Sequence, residues 1–110
     1  METGNGPNIA KRIRGQVERQ EVRVTKHALA EMIEEAITLD EVFEAMVSGS
    51  VVENYPEHRR GACCLFGGRT AENRPLHVVC TTAQPVLIVI TVYQPKPPKW
   101  TTPRERKMSP

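Results

Sequence analysis

Aromatic side chains are scarce in this 110-residue chain, where two Tyr, two Phe and one Trp make up 5% of the sequence. So few π-faces argue against a single-strand reader of the OB-fold or RRM kind, in which successive bases stack on rings. Long apolar runs are missing too. The longest, Val86–Ile90, is far short of the ~20 residues that a membrane span needs. The opening METGNGPN has no basic start followed by an apolar core, so no secretion signal is read and a cytoplasmic protein with no membrane partner is expected. Cysteine is sparse and odd in number: Cys63 and Cys64 are adjacent, Cys80 stands apart, and no C-x-x-C spacing occurs. Adjacent cysteines on a strand point to opposite faces. A zinc site built from the three thiols and a histidine is therefore disfavoured, and buried, reduced thiols are the expectation. With no strong metal-binding cluster of carboxylates or of His and Cys, no metal and no other cofactor is expected.

What is present is an uneven distribution of charge. The net charge of +2 divides into +3 over residues 1–26, −5 over 27–93 and +4 over 94–110. Within the middle block the acids cluster between Glu31 and Glu44, while Arg59, Arg60, Arg69 and Arg74 fall in or beside the apolar runs further on. A basic sheet side over an acidic helix layer suits an anionic partner. A solvated surface of mixed charge is the plainer alternative.

The chain is organised around residues 61–95. Three apolar runs, Ala62–Phe66, Leu76–Thr82 and Val86–Tyr93, are separated by Gly67-Gly68, Asn73, Pro75 and Pro85. Such runs, rich in β-branched residues and bounded by turn formers, read as strands of an antiparallel meander. Ser50–Tyr55 adds a strand before them, and Glu21–Val24 alternates like a short one. Helical periodicity precedes the sheet. Ile9, Ile13 and Val17 form a narrow stripe after Pro7, which lies across the sheet edge or docks on a partner. Ala28, Leu29, Met32, Ile33 and Ala36 follow the N-cap Thr25. Thr38-Leu39-Asp40-Glu41 fits a capping box, with Ile37 and Val42 as a hydrophobic staple. Leu39, Val42, Phe43, Met46 and Val47 give that helix its apolar stripe, and Gly49 its stop. The expected fold is α+β, with N-terminal helices packed on one face of an antiparallel sheet of about four strands. The other face is expected to be open. Residues 1–95 form the single domain. Residues 96–110, basic and proline-rich, form an arm without regular structure unless Trp100 docks. The edge strand and the first helix allow a homodimer.

Three stretches, taken in order, carry a resemblance: T-K-H-A at Thr25–Ala28, G-R-T at Gly68–Thr70, and P-L-H-V-V at Pro75–Val79 followed by I-T-V-Y-Q-P at Ile90–Pro95. Over roughly residues 22 to 100 the chain resembles the bacterial and archaeal family known as domain of unknown function 4258. That family is similar to the BrnT-like and RelE-like toxins of toxin–antitoxin pairs, small α+β proteins that cleave RNA on an antiparallel sheet. The resemblance implies a metal-independent ribonuclease held in check by an antitoxin protein, in some members a zinc-finger one. The alternative class is a non-catalytic module that binds protein or nucleic acid.

Cleavage by 2′-OH attack needs a base, an acid and donors for the phosphate. Arg69 at a strand end is the phosphate candidate, because a planar guanidinium grips two oxygens; otherwise it is a turn arginine. His77 shares a strand face with Val79 and Thr81, opposite Leu76, Val78 and Cys80. It is either an acid–base group on the open face or a half-buried histidine bonded to the next strand. His27, in a helix's first turn, is either a neutral base or a partner for Glu31. Tyr93 offers a hydroxyl or a ring to RNA, or packs at the rim. Lys26, Arg59, Arg60, Thr70 and Arg74 complete the RNA-binding candidates.

Overall fold

Short start and stop signals in the sequence give a sequence of elements, which the computed structural model describes for residues 6–59, 61–97, 100–102 and 105–106. They are α1 (Gly6–Glu18), β1 (Val22–Val24), α2 (Lys26–Glu34), α3 (Leu39–Ser48), β2 (Ser50–Tyr55), β3 (Cys63–Arg69), β4 (Pro75–Thr81), β5 (Leu87–Tyr93), β6 (Trp100–Thr102) and β7 (Glu105–Arg106). The α+β class holds.

The sheet departs from the four-stranded antiparallel expectation. It has five strands in the order β1-β5-β4-β3-β2. Strands β2 to β5 form the antiparallel meander, while β1 lies parallel to β5, with Val22 opposite Leu87 and Val24 opposite Val89. Short connections dictate antiparallel neighbours only from β2 onward. Strand β1 is separated from β5 by two helices and three strands, and so has the long crossover that parallel pairing requires. The tail also departs from expectation, since β6 and β7 pair as a small two-stranded sheet.

All three helices supply one side of the main sheet. Their buried residues join Cys64 and Phe66 of β3, Leu76, Val78 and Cys80 of β4, and Leu87, Val89 and Val92 of β5 in one core. Helix α1 uses its narrow stripe inside the fold, burying Ile9, Ala10, Ile13 and Val17 against β2, α3 and β5. The two later helices start where their caps predict. The Thr25 hydroxyl accepts from the Ala28 amide, and Thr38 and Glu41 form the reciprocal capping box. Their apolar stripes, however, are wider than their buried ones. Ala28, Met32, Val42, Ala45 and Met46 are buried, whereas Leu29, Ile33, Leu39 and Val47 are exposed.

Two details fix how α2 and α3 sit. Strand β1 ends at Val24, which leaves the upper edge of β5 without a strand beside it. Carboxylates of α2 and of its C-cap take over there: Glu31 Oε1 accepts from the Val92 amide at 2.9 Å, and Glu35 Oε1 from the Gln94 amide at 3.0 Å. Helix α3 meanwhile rests its last turn on β3 at Gly68, where a Cβ would collide with the Ala45 carbonyl. Only glycine permits that approach.

Candidate functional site

The sheet end that carries Arg69, Pro75 and Tyr93 gathers most of the candidate residues. Register places Gly67, His77 and Tyr93 in one row across β3, β4 and β5. They share the face turned away from the helices, as period-2 alternation requires. His77 Nδ1 lies 3.1 Å from the Tyr93 hydroxyl, and the rings meet edge to face with centroids 5.2 Å apart. On its other side the imidazole lies over Gly67, where a Cβ would come within 3.4 Å of His77 Cδ2 and 2.8 Å of Val52 Cγ2. The absent side chain at residue 67 makes room chiefly for Val52; the His77 ring would only be touched.

That face is not open around His77, which corrects the sequence expectation. His77 is 1% exposed, and Cys63, Leu65 and Thr81 on the same side are buried too. A ring so enclosed does not touch a polynucleotide directly. Tyr93 is half-buried and is the outward member of the pair. Its hydroxyl donates to the imidazole if Nδ1 is bare, and accepts from it if Nδ1 carries the proton.

Arg69 lies at the end of β3, exposed, two residues beyond Gly67 and so about 7 Å further along the same face. Its backbone is fixed from both sides by Ser48, whose hydroxyl donates to the Arg69 carbonyl at 3.0 Å and accepts from the Arg69 amide at 3.2 Å. Its Nη1 donates to the Asn73 carbonyl at 3.0 Å. Thr70 is buried, and its hydroxyl accepts from the amides of Glu72 and Arg74. It shapes the turn in which Asn73 takes the left-handed conformation. Thr70 is therefore corrected from an RNA contact to a turn former.

Arg74 is corrected as well. Its Nη2 donates to the Glu35 carbonyl at 2.8 Å, Nη1 to the Ala36 carbonyl at 3.0 Å, and Nε to Gln94 Oε1 at 2.8 Å. Glu41 Oε1 stands 3.6 Å from Nη1. The guanidinium closes the C-terminal end of α2, where a cation is favoured, and little of it remains for phosphate.

His27 and Lys26 are exposed in the first turn of α2. His27 Nε2 pairs with Glu31 Oε2 at 3.3 Å, the plainer of its two sequence readings, and makes no contact with the His77–Tyr93 pair among the described residues. Arg59 is exposed in the β2–β3 loop, and Arg60 lies outside the described residues. The geometry thus unites His77 with Tyr93, sets Arg69 nearby, and separates the rest. Sequence reasoning passed over Ser48, took Asn73 only as a break between strands, and quoted Gln94 within I-T-V-Y-Q-P without giving it a role. A Ser in the last turn of a helix was the signal for the first.

Among the described residues no group of three or more His, Cys, Asp or Glu side chains stands close enough to hold a metal ion. No described helix is long and apolar enough to cross a membrane. A groove of about 520 Å³ runs beside α3, lined by Asp40, Phe43, Glu44, Val47, Ser48 and the Arg69–Ala71 corner.

Among the described residues, three helices on one side of a mixed five-stranded sheet, with a histidine–tyrosine pair on the other, define a small α+β protein. Residues 24–94 match the domain of unknown function DUF4258, and the chain belongs to that family. No curated protein and no solved structure matches it.

Proposed function

We propose that this chain is a cytoplasmic, metal-independent endoribonuclease of the BrnT-like and RelE-like kind, the toxin of a toxin–antitoxin pair. The observation that carries the reading is the His77–Tyr93 hydrogen bond, on the face without helices, with Arg69 one step along the same end of the sheet. In this reading Tyr93 reaches the substrate and His77 acts behind it. The scissile phosphate lies between the Tyr93 hydroxyl and the Arg69 guanidinium. Arg69 neutralises the charge that builds on the non-bridging oxygens as the 2′-OH attacks. Tyr93 gives its proton to the leaving 5′ oxygen and is reprotonated from His77 Nδ1, while the 2′-OH proton passes to solvent water as the nucleophile attacks. Arg59, Lys26 and the basic tail add sequence-independent attraction for the backbone.

The test is purified protein with a labelled RNA in EDTA. Tyr93→Phe and Arg69→Ala are each expected to lower the cleavage rate by ~10²-fold or more. Arg69→Ala leaves the melting temperature nearly unchanged, whereas Tyr93→Phe, which takes the hydroxyl from the buried His77 Nδ1, lowers stability by about 1–3 kcal/mol without unfolding the protein. Intact RNA with the wild-type protein, or full cleavage by both variants, removes the assignment.

The burial of His77 favours one competing reading, in which the pair only packs the sheet and the chain is a non-catalytic binding module. RNA retained on a filter without being cut, at equal affinity in the Tyr93→Phe variant, is the result that selects it.

A further inference from the structure

The apolar residues of α3 that the core leaves out are not scattered. Leu39, Phe43 and Val47 recur every four residues and so form one stripe along the helix. Leu39 is 44% and Val47 45% exposed, and Phe43 is partly buried. Asp40 and Glu44 run beside them as a second rail. The groove is lined by the Phe43 and Val47 part of this stripe and ends at the Arg69–Ala71 corner. Its polar walls are already engaged: Ser48 with the Arg69 backbone, Thr70 with two amides, and Glu44 Oε1 with the Ala71 amide at 2.9 Å. A small polar ligand finds few unengaged donors there, and what the groove offers is an apolar seat, Phe43 and Val47, with Asp40 and Glu44 along it and Arg69 at its end.

We infer that this groove docks an amphipathic helix of a partner protein, with apolar side chains at i and i+4 and lysine or arginine alongside. The charge of the surrounding surface supports that chemistry. Asp40 and Glu44 line the groove against one cation, Arg69, and residues 27–48 contain six carboxylates and no Lys or Arg, a net negative surface that favours a cationic segment over an acidic one. The same field argues against a second copy of this chain. Its exposed apolar pair, Leu29 and Ile33, lies on α2 among Glu31, Glu34 and Glu35, so acid would face acid. The stripe of α1 is already buried in its own core, and the proline-rich tail does not present a helical i, i+4 row.

The probe is a fluorescein-labelled helical peptide with leucines at i and i+4 and lysines beside them, matched with a copy in which glutamate replaces every lysine. Anisotropy titration is expected to give saturable binding of the lysine peptide in the micromolar range. The glutamate peptide is expected to bind at least ~10-fold more weakly. Val47→Asp and Asp40→Lys are each expected to weaken the lysine peptide by ~10-fold. Both side chains are exposed, so the fold is kept, with only the modest fall in melting temperature that an unfavourable charge at an end of α3 brings. Equal binding of the two peptides, or unchanged binding by Val47→Asp, overturns the inference. So does a wild-type dimer in sedimentation that Val47→Asp converts to monomer, which puts a second copy in the groove. None of these readouts involves RNA, so they stand or fall apart from the ribonuclease reading.

Discussion

The guanidinium of Arg74 donates to the carbonyls of Glu35 and Ala36 and to the side chain of Gln94, joining the end of α2 to the rim of the sheet. Charge-assisted bonds to partly buried acceptors are the strong kind. Arg74→Met keeps the bulk and removes all three, leaving two helix-terminal carbonyls without their partner. A loss of about 2–4 kcal/mol is expected, read as a lower urea midpoint with an unchanged slope. Arg74→Lys recovers little of it, because an ammonium does not reproduce the planar fork. At this scale the sequence marks chemistry well and its use poorly. Arg69 and Arg74 carry the same group five residues apart. Only the fold sends one of them to a helix end and leaves the other exposed. His77 teaches the same point. Alternation assigns its face correctly, but it does not say whether that face is covered.

Helix α2 stops without a glycine. Ala36 takes the left-handed conformation at φ 54°, and the Ile37 amide returns to the Met32 carbonyl, the pattern of a Schellman-type end. A Cβ in that region costs energy that glycine avoids. Ala36→Gly is therefore expected to stabilise the protein by about 0.5–1 kcal/mol, measured as a higher melting temperature. The stop was not legible because alanine continues the apolar period of the helix, so Ala36 reads as one more stripe residue. By contrast, Thr38 and Glu41 announce the start of α3 in four letters, and the structure keeps both bonds of that box. The strands of the meander were legible through their Gly, Asn and Pro breaks. The place of β1 was not, because parallel pairing leaves no local mark on a three-residue strand. The excess of Leu29, Ile33, Leu39 and Val47 over what the core takes up is also invisible to periodicity, which counts apolar residues and not the neighbours available to bury them.

Across the whole molecule, the thiols of Cys63 and Cys80 make stability depend on alkaline pH. Cys80 is pushed well above the ordinary thiol value, first by its hydrogen bond with Cys64 and then by burial. Cys63 is raised by burial and by the nearby Cys64. As pH passes the ordinary thiol value, the unfolded chain releases protons that the folded chain keeps, so unfolding becomes more favourable. The thiol contribution to stability is complete below about pH 8.5 and falls as pH rises from there through the folded-state values. Urea midpoints measured across this range are expected to drop more steeply in the wild type than in Cys80→Val, which removes the most strongly raised group.

The pairing of β1 with β5 also determines how the molecule bears load. These strands run the same way, so a pull on the chain before Val22 and after Tyr93 drags them past each other in opposite directions along their length. The Val22–Val24 ladder, together with the bonds from Thr25 to Val89 and Ile90, is then strained all at once rather than opened one rung at a time. Under tension from its two ends the sheet behaves as a lap joint and not as a zip.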